Sequence, residues 1–143
     1  MDANQEKLVA AARSCIGRPY KYGAKPEDMP NYFDCSSFTQ YVFKTIGIDI
    51  PRSTLLQATI GKEIPLDQPP AVGDLIFFRG SKGHYDDALF PGKSVYIGHV
   101  ALYIGENKII HGAFQRGVVE EIPMETAIKE KGPIVLIKRV LSG

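Results

Sequence analysis

Three residues set far apart in the chain carry side chains that together supply a nucleophile and a base. Cys35 stands in "YFDCSSFTQYVF", between an aspartate and two serines and just ahead of an apolar stretch. His99 stands in "GHVALYIG" and His111 in "KIIHGAF". A cysteine attacks as the thiolate, and a free thiol of pKa about 8.5 is only a few per cent ionised at neutral pH. The unpaired N–H groups in the first turn of a helix favour negative charge, and a nearby histidine adds to the effect. The stretch after Asp34 reads as such a helix start. Taken alone, Cys35 fits a nucleophile and a half-buried residue opening a core helix equally well.

The histidines favour the nucleophile. His99 and His111 are 12 residues apart, with Gly105 at the midpoint and "GEN" between the two runs. A hairpin turning about Gly105 sets the imidazoles opposite each other, and an odd loop count puts them on one face. Either histidine then serves as base with the other as its orienter. A lone histidine on a strand is ordinarily a satisfied structural residue. A Cys–His–His zinc site is the competing reading, and it lacks the closely spaced ligand pairs that structural zinc prefers. His84, with Tyr85, Asp86 and Asp87, reads as a solvated loop tip rather than a metal or substrate site. The doublets Asp86-Asp87 and Glu120-Glu121 are poor paired carboxylates, because neighbours on a strand point to opposite faces. Ser36 and Ser37 lack a nucleophile-elbow pattern.

These residues need elements to hold them. Residues 3–16 read as a helix, with Leu8, Ala11, Ala12, Cys15 and Ile16 on one face, a capping box from Asp2 and Gln5, and a stop at Gly17 and Pro19. Cys15 is core filler on that stripe. A second helix begins at Cys35 under an Asp34 cap and ends at Gly47, with Phe38, Tyr41, Val42, Thr45 and Ile46 at helical spacing. A short third helix spans Leu55 to Ile60, introduced by Ser53 or Thr54. The pattern then changes to short β-rich runs: "DLIFF", "VYIGHVALYIG", "KIIHGAF", "GVVEEI" and "IVLIKRV". A brief helix near Met124 to Lys129 interrupts them. Helices first and strands afterwards predict an α+β fold, with an antiparallel sheet packed on the early helices. The stretch from Arg79 to Ser94 is rich in Gly, Pro and charge and reads as a long functional loop.

The bulk numbers bound the function. At 143 residues the chain suits one domain, 1–143, able to bury a core without staples. Lys plus Arg number 17 against 16 Asp plus Glu, a balance that offers no basic surface for nucleic acid. No apolar run reaches membrane-spanning length. The N-terminus has neither a basic start nor an apolar signal core, so the expectation is a cytoplasmic protein or an exported one with its signal removed. Two cysteines make no disulfide framework.

With these residues in hand, the chain resembles the NlpC family of papain-like cysteine peptidases, the bacterial cell-wall endopeptidases. The likeness runs in order through "GRPYKYGA", "FDCSSFTQYVF", "GIDIPRST", "AVGDLIFF", "GHVALYIG" and "IIHGA". It implies a minimal papain-like fold and cleavage of peptidoglycan stem peptides, commonly between γ-D-Glu and a diamino acid. It implies Cys35 as nucleophile, His99 as general base, His111 as its orienter and Tyr20 as an oxyanion-hole donor beside the cysteine's own N–H. It further implies Asp34 and Ser36 as holders of the substrate's free amine and D-Glu carboxylate, with Thr54 in support. No metal or organic cofactor is implied, and the partner is a peptidoglycan-derived peptide. The chain departs from the family at Ser37 and Ala24, where glycine is usual, and in the insertion at 79–94. Two other readings belong to different classes: a non-catalytic wall-binding or phage-tail assembly module of the same fold, and a papain-like acyltransferase or amidase. Retention of Cys35, His99 and His111 together speaks against the first. The cysteine preceding the histidine speaks against the second.

Overall fold

The computed structural model describes residues 1–141. Helix α1 covers Ala3–Ser14, its first turn closed by reciprocal bonds between Asp2 and Gln5 at 2.8 and 2.9 Å. Leu8, Val9 and Ala12 are buried on its inner stripe, and Cys15 follows as a buried C-cap. Helix α2 covers Cys35–Lys44. Asp34 accepts from the Ser37 N–H at 2.8 Å, and Ser37 Oγ accepts from the Asp34 N–H at 2.9 Å. The serine standing where glycine is usual in the family thus completes a capping box that holds the helix mouth. Helix α3 is a single turn, Thr54–Gln57, capped by Ser53. It is shorter than the sequence reading because Ala58 and the residues after it leave the helix for an edge strand.

The sheet has six strands in the order β1-β6-β2-β3-β4-β5, all pairs antiparallel. They are β1 (Lys62–Glu63), β2 (Leu75–Phe78), β3 (His99–Gly105), β4 (Lys108–Ala113), β5 (Val118–Pro123) and β6 (Ile134–Arg139). Helix α4 (Met124–Lys131) lies between β5 and β6 in the chain. Both faces of the central strands are covered. Leu75, Phe77, Val100, Leu102 and Ile110 join Leu8, Phe38 and Val42 in one cluster. Ile76, Phe78, Ala101, Tyr103 and Ile109 join Met124 and Ala127 in the other. That double cover explains why β2 and β3 read as continuous apolar runs rather than alternating ones. Each fully buried Phe, Leu or Ile contributes about 1.5–3 kcal/mol.

Three sequence expectations change. Strand β3 begins at His99 and not at Val95, because the backbone before it folds back on the Arg79 segment: a Cβ on Gly98 would meet Arg79 O at 2.8 Å. Residues 79–98 are otherwise irregular apart from a bridge between His84 and Ile97. The β3–β4 hairpin does not turn about Gly105. Its turn residues are Glu106 and Asn107, with φ of 54° and 57°, the left-handed pair that a twisted two-residue turn requires. The ladder pairs Leu102 with Ile110 and Tyr103 with Ile109, with a bulge between Tyr103 and Gly105. The register centre therefore moves one residue along. His111 lies diagonally across from His99 on the shared face, still within reach of two imidazoles.

Candidate active site

The mouth of α2 is pressed onto the strands that carry the histidines. A Cβ on Gly112 would come within 2.9 Å of Asp34 O and 3.7 Å of Cys35 N, so only glycine permits this approach. Val100, the residue after His99 on β3, packs in the same apolar cluster as Cys35. Cys35 is thereby set one residue from His111 on one strand and one residue from His99 on the next. The segment before α2 is fixed as well. Tyr20 N–H donates to Gly117 O at 2.8 Å, and Tyr20 bridges Phe33.

These elements enclose a cleft of about 840 Å³. Tyr20, Asp34, Cys35, Ser36, Thr54 and His99 line it, so the predicted site residues meet in one place with His111 directly behind. His99 Nε2 and His111 Nδ1 are 2.8 Å apart, and the rings meet edge to face at 4.9 Å. His111 Nε2 lies 2.8 Å from Glu120 Oε2. Arg116 holds Glu120 through Nε, and through Nη2 at 2.7 Å, and pairs with Glu130 at 2.5 Å.

The proton positions follow from this chain of bonds. An ionised carboxylate only accepts, so His111 Nε2 carries the proton. His111 Nδ1 is then the acceptor, and His99 Nε2–H donates to it. The remaining lone pair is His99 Nδ1. Three of the four ring nitrogens are engaged in this relay, an arrangement suited to proton transfer rather than metal ligation. Among the described residues, no group of three or more His, Cys, Asp or Glu is placed to hold a metal ion.

The electrostatics correct one expectation. Burial pushes the Cys35 thiol above its ordinary value, against the bond from Thr54, whose Oγ1 is 3.5 Å from the sulfur. Burial also holds His99 well below the usual histidine value, with His111 and Lys131 adding to it. His111 is lowered by burial despite Glu120. Burial would raise the Glu120 carboxyl, but Arg116 and His111 hold it below the usual carboxylate range.

The two histidines make stability depend on pH in a defined window. Their folded pKa values lie below the unfolded value near 6.5. As pH falls below that value, the unfolded chain binds protons that the folded chain refuses, and stability drops by up to about 1.4 kcal/mol per unit of depression. Glu120, Glu130 and Asp28 are depressed carboxyls, whose contribution is lost only at pH below their unfolded values of 4.5, 4.5 and 3.8. The melting temperature should therefore fall between about pH 7 and about pH 5, and fall less in His99→Gln. Equal falls in both proteins would locate the effect elsewhere.

The proposed substrate-holding residues are present but committed to one another. Asp34 caps α2, accepts from the Gly23 N–H at 3.0 Å and pairs with Arg52 at 2.8 Å. Arg52 also donates to Ser36 Oγ at 2.8 Å. Arg52, in "PRST", was not singled out by sequence, although an arginine two residues before Thr54 is a visible cation beside a predicted cleft residue. Glu120 was set aside as half of a doublet. Its partner is His111, its register neighbour across the β4–β5 ladder, and no spacing rule for adjacent carboxylates could find it. The loop residues His84 and Asp86-Asp87 part company. His84 lines the cleft, while Asp87 accepts from Tyr85 at 2.6 Å and Asp86 closes a local turn with the Ala88 N–H.

A cysteine at a helix mouth, packed on an antiparallel sheet that carries its histidines, defines a small α+β domain of papain-like architecture. The chain belongs to the NlpC/P60 family, whose model matches residues 17–135. It is 35% identical over 127 residues to the gamma-D-glutamyl-L-lysine dipeptidyl-peptidase of Bacillus subtilis, covering 88% of this chain and 38% of that protein. It is 35% identical over 121 residues to the gamma-DL-glutamyl hydrolase of the same organism, covering 82% and 26%. The chain thus spans well under half the length of these curated relatives. Among solved structures it is similar to an NlpC/P60 family protein from Bacillus cereus, with a TM-score of 0.76, 30% identity and coverage of 96% of this chain and 40% of that one. It is also similar to the NlpC/p60 domain of the peptidoglycan hydrolase SagA, with a TM-score of 0.72, 31% identity and coverage of 96% and 100%. No helix among the described residues is long and apolar enough to cross a membrane.

Proposed function

We propose that this domain is a cysteine peptidase that hydrolyses stem peptides of peptidoglycan at the bond between γ-D-Glu and a diamino acid. The observation that carries the reading is the unbroken relay His99–His111–Glu120 beside Cys35 in a cleft of peptide size. The substrate class is supported by the names of the relatives, one a gamma-D-glutamyl-L-lysine dipeptidyl-peptidase and another a peptidoglycan hydrolase.

On attack the Cys35 thiol gives its proton to His99 Nδ1, and the sulfur bonds to the carbonyl carbon. The carbonyl oxygen becomes an oxyanion facing the Cys35 N–H and the Tyr20 hydroxyl. As the tetrahedral intermediate collapses, the C–N bond breaks and His99 returns the proton to the leaving amine. A water then attacks the thioester with His99 as base, releasing the carboxylate product and the thiol. Thr54, in contact with the sulfur, orients the thiol. The test is incubation with L-Ala-γ-D-Glu-L-Lys and mass-spectrometric detection of released lysine, compared with the N-acetylated peptide. Release of lysine is the expected result, and a preference for the free amine would point to recycling of small fragments.

Glu120 acts in this reading as a positioning residue. Glu120→Gln keeps the side-chain shape but no longer obliges His111 Nε2 to carry the proton. Loss of a bond to a charged partner is worth about 1.5–3 kcal/mol, so kcat should fall by about 10–100-fold with little change in KM. Nitrogen-15 spectra should show mixed tautomers at His99 and His111, and Glu120→Asp should recover part of the rate. Unchanged kcat and tautomers in the glutamine variant would refute the relay.

A further inference from the structure

Lys131, the last residue of α4, is only 7% exposed, yet it lines the cleft that holds Cys35 and His99. Its ammonium sits 4.2 Å from the centre of the Phe114 ring. Of the cleft's other charged side chains, Arg52 is paired with Asp34, Glu130 is paired with Arg116, and Lys82 stands on the exposed loop. Among the described residues, Lys131 Nζ has no carboxylate within ion-pair distance and donates no hydrogen bond to protein. No fully buried side-chain nitrogen among these residues is without a partner, so the ammonium must open to the cleft. Burial lowers the Lys131 pKa, with Cys35, Glu130 and Glu120 opposing it. An anion arriving at this point would relieve that desolvation.

The position says which part of a substrate would meet it. Phe114, on whose ring Lys131 lies, directly follows β4, the strand that carries His111, so Lys131 stands on the histidine side of the cleft, where the leaving amine takes up its proton. The opposite wall, Asp34, Ser36 and Arg52, is already neutralised by internal pairing. We propose that Lys131, backed by the ring of Phe114, receives a carboxylate of the leaving diamino acid, so that the site selects stem peptides in which that residue carries a free carboxylate. The exposed face of Phe114 offers an apolar platform for the methylenes of the same residue. This specificity rests on the peptidase reading above.

The experiment compares kcat/KM of the wild type and of Lys131→Met on three peptides: L-Ala-γ-D-Glu-L-Lys with a free α-carboxylate, its C-terminal amide, and the corresponding amide in which a diaminopimelate side chain supplies a second carboxylate. The wild type should prefer the acid over the lysine amide by about tenfold or more, the worth of one ion pair that is partly shielded from water. Lys131→Met should bring that ratio close to one, and Lys131→Arg should keep part of it. Recovery of cleavage on the diaminopimelate amide would show that either carboxylate of that residue can meet Lys131; no recovery would confine the contact to the main-chain one. Equal cleavage of acid and lysine amide by the wild type overturns the proposal even if the methionine variant fails to fold. An undiminished preference in a folded Lys131→Met protein overturns it too. If the wild type cuts none of the three peptides, the peptidase reading itself falls and takes this specificity with it.

Discussion

Cys35→Ala should melt within a few degrees of the wild type and release no lysine from L-Ala-γ-D-Glu-L-Lys. The side chain is partly exposed in the cleft, and its only polar side-chain partner among the described residues is Thr54 Oγ1 at 3.5 Å. Losing one sulfur there leaves no buried group unpaired, so the stability cost stays within about 1 kcal/mol. Helix α2 keeps its cap, because the capping bonds belong to Asp34 and Ser37. The chemistry has no substitute nucleophile. Ser36 is held by Arg52, and Ser37 is spent on the capping box. The loss should reach the assay floor, about six orders of magnitude if the floor allows. Cys35→Ser should behave the same way, since a hydroxyl gives up its proton far less readily than a thiol. Lysine release by Cys35→Ala at the wild-type rate would dismiss the cysteine mechanism outright.

Tyr20→Phe should lower kcat by about 10²–10³-fold, the 2.7–4 kcal/mol typical of one oxyanion donor, with KM nearly unchanged. The ring is placed by the backbone, through the bond to Gly117 O and the bridge to Phe33, so the phenylalanine should occupy the same position. The hydroxyl has no partner among the described residues, and its removal leaves nothing stranded. Burial raises the phenol pKa to about 12, with the charges of Cys35 and Asp34 adding to the effect. It is therefore a neutral donor throughout the working range. Alkylation of Cys35 by iodoacetamide forms no oxyanion, so its rate should barely change. A parallel loss of alkylation would mean that Tyr20 shapes the thiol and not the transition state.

Much of this site could be read from the sequence because its parts sit at signals that local physics sets. Asp34 before an apolar periodic stretch gave the cap and with it the position of Cys35. The odd parity of His99 and His111 gives a shared face only with an odd loop; the observed turn has two residues, and the bulge after Tyr103 is what restores the shared face. The misplacement of the turn came from that bulge, where an extra residue shifts the ladder without leaving a compositional mark. Strand β1 was missed because two polar residues on a sheet edge carry no periodicity. Glu120 needed the β4–β5 register before its carboxylate had a meaning. The thiol pKa went the other way from expectation because burial is a property of the assembled cleft, and no window of sequence contains it.

The contact at Gly112 ties the reactive geometry to main chain against main chain. Hydrophobic side chains elsewhere can be exchanged or resized while the sulfur stays where it is relative to the imidazoles. A redesigner seeking a hardier scaffold has wide freedom in the two apolar layers, and one hydrogen atom on β4 that must never become a methyl.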